Sequence, residues 1–227
     1  MFLKRFVAFS ITGSFLFANS SFAAMDINVH GAISPNACTA SIIGGDSLDW
    51  ATTQHENLKQ HDFNTLPKKQ VTLQVSCPSA QSVALWATEP NENSAMEGVN
   101  TSGKVGHIDK LRIFGLGLDP VTQNKLGNFT ISPVSSTVDG VTNATSVGYQ
   151  VSGSHNSSIF SRILSSQWSY SKAEDWTPWN EEANKPAVGK SISWLLDIEP
   201  QLNRGEMISN AQKIEWQGTA QVNVRYF

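Results

Sequence analysis

His55 and Glu56 begin the pattern that comes closest to metal chemistry in this chain. Zinc proteases carry two histidines four residues apart on one helix, with a glutamate between them as general base. Lys59 stands where the second histidine is required, and His61 lies six residues after His55, which is the wrong spacing for one helical face. The pattern therefore predicts no metal site.

Three other motifs lack residues that their chemistry requires. The Gly-Leu-Gly sequence at 115–117 has no third glycine for a dinucleotide site, and the Gly-Ser-His sequence at 153–155 is not a nucleophile elbow. The acidic pairs at 181–182 and at Asp46 and Asp49 lie in turn-like polar sequence, where nothing distinguishes them as catalytic carboxylates. We expect no catalytic residues, no enzyme activity and no bound cofactor.

Cys38 and Cys77 are the only cysteines. In an oxidising compartment an isolated pair most simply forms one disulfide. A metal site would need further ligands at close spacing, and a catalytic thiol would need a neighbourhood that lowers its pKa. The sequence displays neither, so we predict the disulfide.

The segment from Trp168 to Trp179 is rich in aromatic residues and also contains Trp176. Exposed rings can stack on sugars, so Trp168, Trp176 and Trp179 are candidate contacts to a glycan. The alternative, which we favour, is that the rings cover one end of the fold, as large amphipathic side chains often do.

The first residues predict export. Lys4 and Arg5 precede an apolar run from Phe6 to Phe17, and small residues at 21 and 23 suit a signal peptidase. We expect residues 1–23 to be a cleaved signal peptide, since the apolar run is shorter than a membrane span requires. Without the two cationic residues the formal charge changes from −3 to −5. The mature chain is therefore expected to be acidic and exported from the cytoplasm.

The composition favours strands over helices and excludes general nucleic-acid binding. Charged residues make up only 15% of the chain, below the roughly 25% of an average domain, and Ser, Thr and Asn supply roughly a quarter of all residues. Exposed helical faces usually carry Glu, Lys and Arg, and a pI near 5.9 gives no basic surface for phosphates.

Alternating apolar residues recur along the rest of the chain. We predict strands near 71–77, 83–87, 110–114, 129–133, 148–151, 192–198 and 214–227, with the first two as neighbours. The dipeptide Thr177-Pro178 reads as a turn, and 158–164 could form one or two helical turns. Residues 24–227 are therefore predicted to form one all-β domain, an immunoglobulin-like antiparallel sandwich.

Both ends of the predicted domain resemble chaperone–usher pilins. The first strand of pilins is similar to the run from Gly31 to Thr39, which contains Cys38, and the terminal pilin strand is similar to the run from Gly218 to Phe227. The chain resembles more closely the GltF-like family of exported, fimbrial-like proteins, a domain of unknown function. That likeness lies in the Pro-x-Ala-Cys-Thr stretch, the glycines at 44–45, the 114–117 sequence and the Trp-rich segment.

This resemblance implies an incomplete sandwich whose missing strand is supplied by a periplasmic pilus chaperone and later by another fimbrial subunit. Residues of the last strand would pair with that strand, with the apolar ones facing the groove. They are Gly218, Ala220, Val222, Val224, Tyr226 and Phe227. The alternative is an ordinary closing strand of a complete sandwich.

The segment before Gly31 is a short candidate donor strand. Ile27 and Val29 could fill two pockets of a neighbouring subunit, but cleavage after Ala23 leaves few residues and none of them is glycine. We therefore expect a minor or tip component of a surface fimbria, acting in attachment to a host glycan or surface. The alternative function is a soluble periplasmic accessory or carbohydrate-binding protein with a complete sandwich.

Overall fold

The computed structural model describes residues 37–90, 94–96, 111–143, 146–151, 159–164 and 172–227, all within one compact unit that begins at Asn36. These residues contain no α-helix and no helix that is long and apolar enough to cross a membrane. Their strands are β1 (Thr39–Ile43), β2 (Asn64–Thr65), β3 (Lys69–Gln81), β4 (Val83–Thr88), β5 (Phe114–Gly115), β6 (Gly127–Val138), β7 (Val141–Asn143), β8 (Ser146–Val151), β9 (Ser161–Leu164), β10 (Glu174–Asn180), β11 (Lys185–Pro186), β12 (Gly189–Leu202) and β13 (Gln221–Tyr226).

The strands form two antiparallel sheets. Sheet I has the order β1-β3-β12-β6-β5, with β2 also paired to β12 and β7 to β6. Sheet II has the order β13-β4-β10-β8-β9, with β11 also paired to β10. This arrangement confirms the predicted all-β, sandwich-like architecture.

The core lies between the sheets and follows from alternation along the strands. In β3, Leu73 and Val75 are buried while the side chains between and beside them are more exposed. Trp194 of β12 lies opposite Leu73 of β3, so both side chains lie on the same face of sheet I. Trp176 of sheet II belongs to the same apolar cluster. Period-two patterning thus selects the face of each strand that is removed from water.

The predicted strand pairing was wrong at one point. The runs at 71–77 and 83–87 are both strands, but β3 belongs to sheet I and β4 to sheet II. The chain crosses from one sheet to the other at Ser82, so consecutive strands face each other across the core.

Two local predictions were also wrong. Thr177 and Pro178 lie inside β10 rather than in a turn, and Ser161–Leu164, in the part of 158–164 expected to be helical, is strand β9. Strand β10 is buried at six consecutive positions from Glu174 to Trp179, so it shows no alternation between polar and apolar residues. A strand covered on both faces lacks the signal on which the prediction relied.

Strand β1 is an edge strand held to the fold by β3 and by the disulfide. It pairs with β3 from Thr39 to Ile43, and every residue in it is exposed. Cys38, directly before β1, forms the predicted disulfide with Cys77 of β3. The bridge therefore fixes a strand that contributes little buried surface of its own.

Replacing both cysteines with alanine should lower the free energy of unfolding by about 4 kcal/mol, because the bridge closes a loop of about 40 residues in the unfolded chain. Chemical denaturation of the two proteins measures this difference. Equal midpoints and slopes would contradict the role assigned to the bridge.

Asp119 joins two loops at one end of the fold. Its Oδ1 accepts hydrogen bonds from the backbone N–H groups of Val121 and Thr122, at 2.7 and 3.1 Å, and its Oδ2 accepts one from Ser209 at 2.6 Å. Burial by itself raises the pKa of Asp119, but the three N–H groups and the Thr122 hydroxyl together outweigh it and hold the pKa below its usual 3.8. The ionised carboxylate is therefore part of the folded structure.

Asp119→Asn should lower the free energy of unfolding at pH 7 by about 2 kcal/mol, since it removes the charge that these N–H groups bind. The folded-state pKa is depressed, so this stabilisation is complete above the unfolded pKa, near 3.9, and is lost as pH falls through the folded value. Denaturation series at pH 7 and pH 3 should show the difference between wild type and variant shrinking. The exposed control Asp46→Asn should change little at either pH, and a difference for Asp119→Asn that is independent of pH would contradict this account.

Candidate functional site

Strand β13 is the edge of sheet II and pairs with β4 alone among the described residues. Val222 and Val224 lie opposite Ala87 and Leu85, which belong to the core, so their side chains point inward. Both valines nevertheless remain partly exposed, and Tyr226, opposite the buried Val83, is 37% exposed. The inward face of this strand is therefore only half covered.

The same residues form the backbone edge of β13 that faces away from β4. Phe227 and Ser82 exchange both of their backbone hydrogen bonds, at 3.0 and 3.2 Å. In an antiparallel pair such bonded positions alternate with unbonded ones, so Gln221, Asn223 and Arg225 direct their N–H and C=O groups toward β4. Val222, Val224 and Tyr226 then direct theirs away from β4, where no described residue pairs with them.

Sheet I also has an edge strand, β1, whose inward side chains are exposed. Ala40 and Ile42 of β1 lie opposite Val75 and Leu73, so they face the core side, yet both are exposed, Ile42 at 39%. This surface was missed from the sequence. The only signal was the alternation of Ala40 and Ile42 with polar residues directly after Cys38, which is too short to stand out.

A pair of tryptophans closes one end of this open side. Trp50, in the connection after β1, packs against Trp216 with ring centroids 5.9 Å apart. Trp50 also donates a hydrogen bond to the Pro67 carbonyl, and the Lys69 ammonium lies over its ring at 5.1 Å. These contacts join the start of β3, beside β1, to the segment that leads into β13. The two half-covered edges thus belong to one open side of the sandwich.

The lead-in to β13 crosses the end of sheet I and is not part of the strand. The Gln217 N–H donates to the Leu116 carbonyl at 3.2 Å, and a Cβ on Gly218 would lie 2.5 Å from the Phe129 ring and 2.6 Å from the Gly115 oxygen. The strand predicted at 214–227 is therefore shortened to Gln221–Tyr226. Gly218, expected to pair with a partner strand, lies before β13 and permits this close packing.

The remaining residues predicted to take part in binding lie in different surroundings. Ala220 is partly buried and packs on the core beside Val222, whereas the Phe227 ring stacks on Phe160 at 5.2 Å. Ile27, Val29 and Trp168 lie outside the described residues.

Trp176 and Trp179 are buried, with exposed fractions of 0% and 3%. Their rings are packing residues in this structure, and neither presents a face on which a sugar could stack. Trp176 belongs to the main apolar core cluster and lies inside β10, whereas the sequence favoured a position at one end of the fold.

His55 contacts two backbone carbonyl groups of another loop. Its Nε2 lies 3.1 Å from the Gly205 carbonyl oxygen and 2.9 Å from that of Ile208, and the nearby His61 contacts Glu206 at 2.9 Å. Across the described ranges, no group of three or more His, Cys, Asp or Glu side chains could hold a metal ion. The histidines connect two loops.

Comparison with models of protein families gives a match in the first part of the chain. A sequence model of a family described as "Protein of unknown function (DUF1120)" matches residues 27–128, which include both cysteines and strands β1 to β5. No curated protein matches the chain. The family description assigns neither an activity nor a partner.

Gly218→Ala should lower the free energy of unfolding by about 1–3 kcal/mol, because the added methyl group meets a backbone oxygen and a ring that is itself stacked on Phe114. Thermal or chemical denaturation measures the loss, with the exposed Thr219→Ala as control. Equal stability of the two variants would show that the lead-in relaxes without cost.

Proposed function

We propose that this chain is an exported, fimbrial-like structural protein whose strand β13 accepts a β-strand from a partner. One observation carries the proposal. Val222, Val224 and Tyr226 present to the same open side half-exposed apolar side chains and backbone groups with which no described residue pairs. An added strand would satisfy the backbone groups and cover the side chains in one step.

The chemistry of the edge agrees with this proposal. Edge strands that avoid partners usually carry charges or proline on the free side, or are covered by another segment. The inward residues of β13 are uncharged, and the only cation in the strand, Arg225, is paired on the opposite face with Asp175. A partner strand with alternating apolar residues would meet no repulsive charge from the inward side chains of β13.

The exposed inner face of β1 supplies the second wall. Ile42 and Ala40 belong to sheet I, so a strand inserted beside β13 would pack its inward side chains against them as well as against the core. The pair of Trp50 and Trp216 would limit such a strand at one end. The site accordingly suits a short extended segment better than a small molecule.

The partners that fit are a periplasmic pilus chaperone and other fimbrial subunits. The resemblance of the Gly31–Thr39 and Gly218–Phe227 sequences to the ends of pilins supports this choice. The role that follows is that of a minor or tip component of a surface fimbria, acting in attachment. Its own donor residues would be Ile27 and Val29.

Val224→Asp should reduce co-purification with a co-expressed pilus chaperone at least tenfold, because a carboxylate would then enter the apolar contact without a compensating charge. Asn223→Asp is the matched control. It places the same charge on the adjacent residue, whose side chain lies on the outer face and whose backbone bonds β4. Tagged pull-down from periplasmic extracts, with the amounts compared on gels, measures capture.

Equal capture by the two variants would contradict strand addition at β13. A wild-type protein that accumulates as a stable monomer without a chaperone, and binds none when it is supplied, would favour the alternative of a periplasmic accessory protein with a complete sandwich.

A further inference from the structure

Arg225 and Asp175 form a buried ion pair on the outer face of sheet II. The guanidinium Nε and Nη2 atoms donate to the same carboxylate oxygen, Oδ2, at 2.8 and 2.7 Å. The Asp175 side chain has no exposed surface and that of Arg225 is 16% exposed. A charge buried to this degree is costly unless its partner is in place.

The pair connects the edge strand to the third strand of the sheet. Arg225 lies in β13 and Asp175 in β10, with β4 between them. Arg225 stands opposite Ala84, a small and fully buried residue, so the long side chain can cross β4 without obstruction.

Two aromatic rings further restrict the position of Arg225. Its guanidinium carbon lies 4.9 Å from the Phe227 ring centroid and 5.8 Å from that of Phe160, and these two rings stack on each other. Cation–π contacts of this kind favour one location of the planar group. The outer side of β13 is therefore specified by directional contacts, whereas its inner side is only half covered.

Apolar burial alone does not fix the register of a half-covered strand. A slip by two residues keeps the inward and outward faces, so it would still place Val222 or Val224 over the core. The same slip moves Arg225 along the sheet by about 7 Å, which separates it from Asp175. The ion pair thus distinguishes registers that the apolar pattern does not.

We propose that the Arg225–Asp175 pair is a register lock, which holds β13 on β4 in the single alignment that presents Val222, Val224 and Tyr226 to a partner strand. Arg225 is a positioning residue in this scheme and does not contact the partner. The link to partner binding rests on the function proposed above. The register itself is a property of the free protein and can be tested without any partner.

Disulfide trapping with a cysteine at position 87 measures the register of β13 on β4. Ala87→Cys is combined in turn with Val222→Cys, the native partner, and with Ala220→Cys and Val224→Cys, which would face it after slips of two residues in either direction. Mild oxidation followed by peptide mapping gives the fraction of each cross-link. With the lock intact, only the 222–87 pair should form efficiently.

The lock is removed by Arg225→Met with Asp175→Leu, which replaces the pair with apolar side chains and avoids leaving an unpaired charge. In this background at least one slipped cross-link should rise tenfold or more. Arg162→Gln, which breaks the exposed Arg162–Glu181 pair of the same sheet, is the matched control and should leave trapping unchanged. Arg225→Lys, which retains the charge, should keep the native cross-link dominant.

Unchanged trapping in the double variant would overturn the register lock. If that variant does not fold, hydrogen exchange at residues 221, 223 and 225 of Arg225→Met with Asp175→Asn, which also leaves no unpaired charge, replaces it. At least tenfold faster exchange is expected, and rates equal to those of Arg162→Gln would contradict the proposal. Failure of wild type to capture a chaperone would defeat the proposed function and leave the trapping result standing.

Discussion

The pairing of β13 with β4 is the interaction on which the open side of this protein depends. An interior strand is fixed by neighbours on both edges and by a covered inner face, but β13 has one described neighbour and a half-covered face. Its position therefore relies on directional contacts, namely the backbone ladder, the buried pair of Arg225 with Asp175, and the close packing of Gly218 at the entrance. Directional contacts can fix the register of an edge strand where apolar burial does not.

The edge strand of sheet I, β1, is also held by a contact outside the apolar core, in this case a covalent bond. β1 is exposed along its whole length, and the bridge from Cys38 to Cys77 attaches it to β3. Each half-covered edge is thus held by something other than the apolar core, and each keeps an inward face available. A protein that must present such a surface in the absence of a partner needs this kind of support, because apolar burial contributes less where water still reaches the side chains.

The proposed function uses backbone and side chains from the same three residues of β13. Alternation along the strand gives Val222, Val224 and Tyr226 an inward side chain. Alternation of hydrogen bonding directs their N–H and C=O groups away from β4, where none of the described residues pairs with them. The two patterns coincide because both have a period of two residues. No charged or metal-binding group is needed for strand addition, which fits the lack of a catalytic motif in the sequence.

The amino-acid sequence by itself determined the all-β class, the alternating faces of β3 and the disulfide, since these depend on local periodicity or on the presence of only two cysteines. The tertiary structure alone decided that β3 and β4 belong to different sheets, that Trp176 and Trp179 are buried, and that Arg225 meets Asp175 fifty residues away. Periodicity reports which face of a strand is apolar, but only long-range pairing decides what covers that face. The same alternating pattern is fully buried in β3 at Leu73 and Val75 and half open in β13, because β3 lies inside its sheet and β13 at an edge.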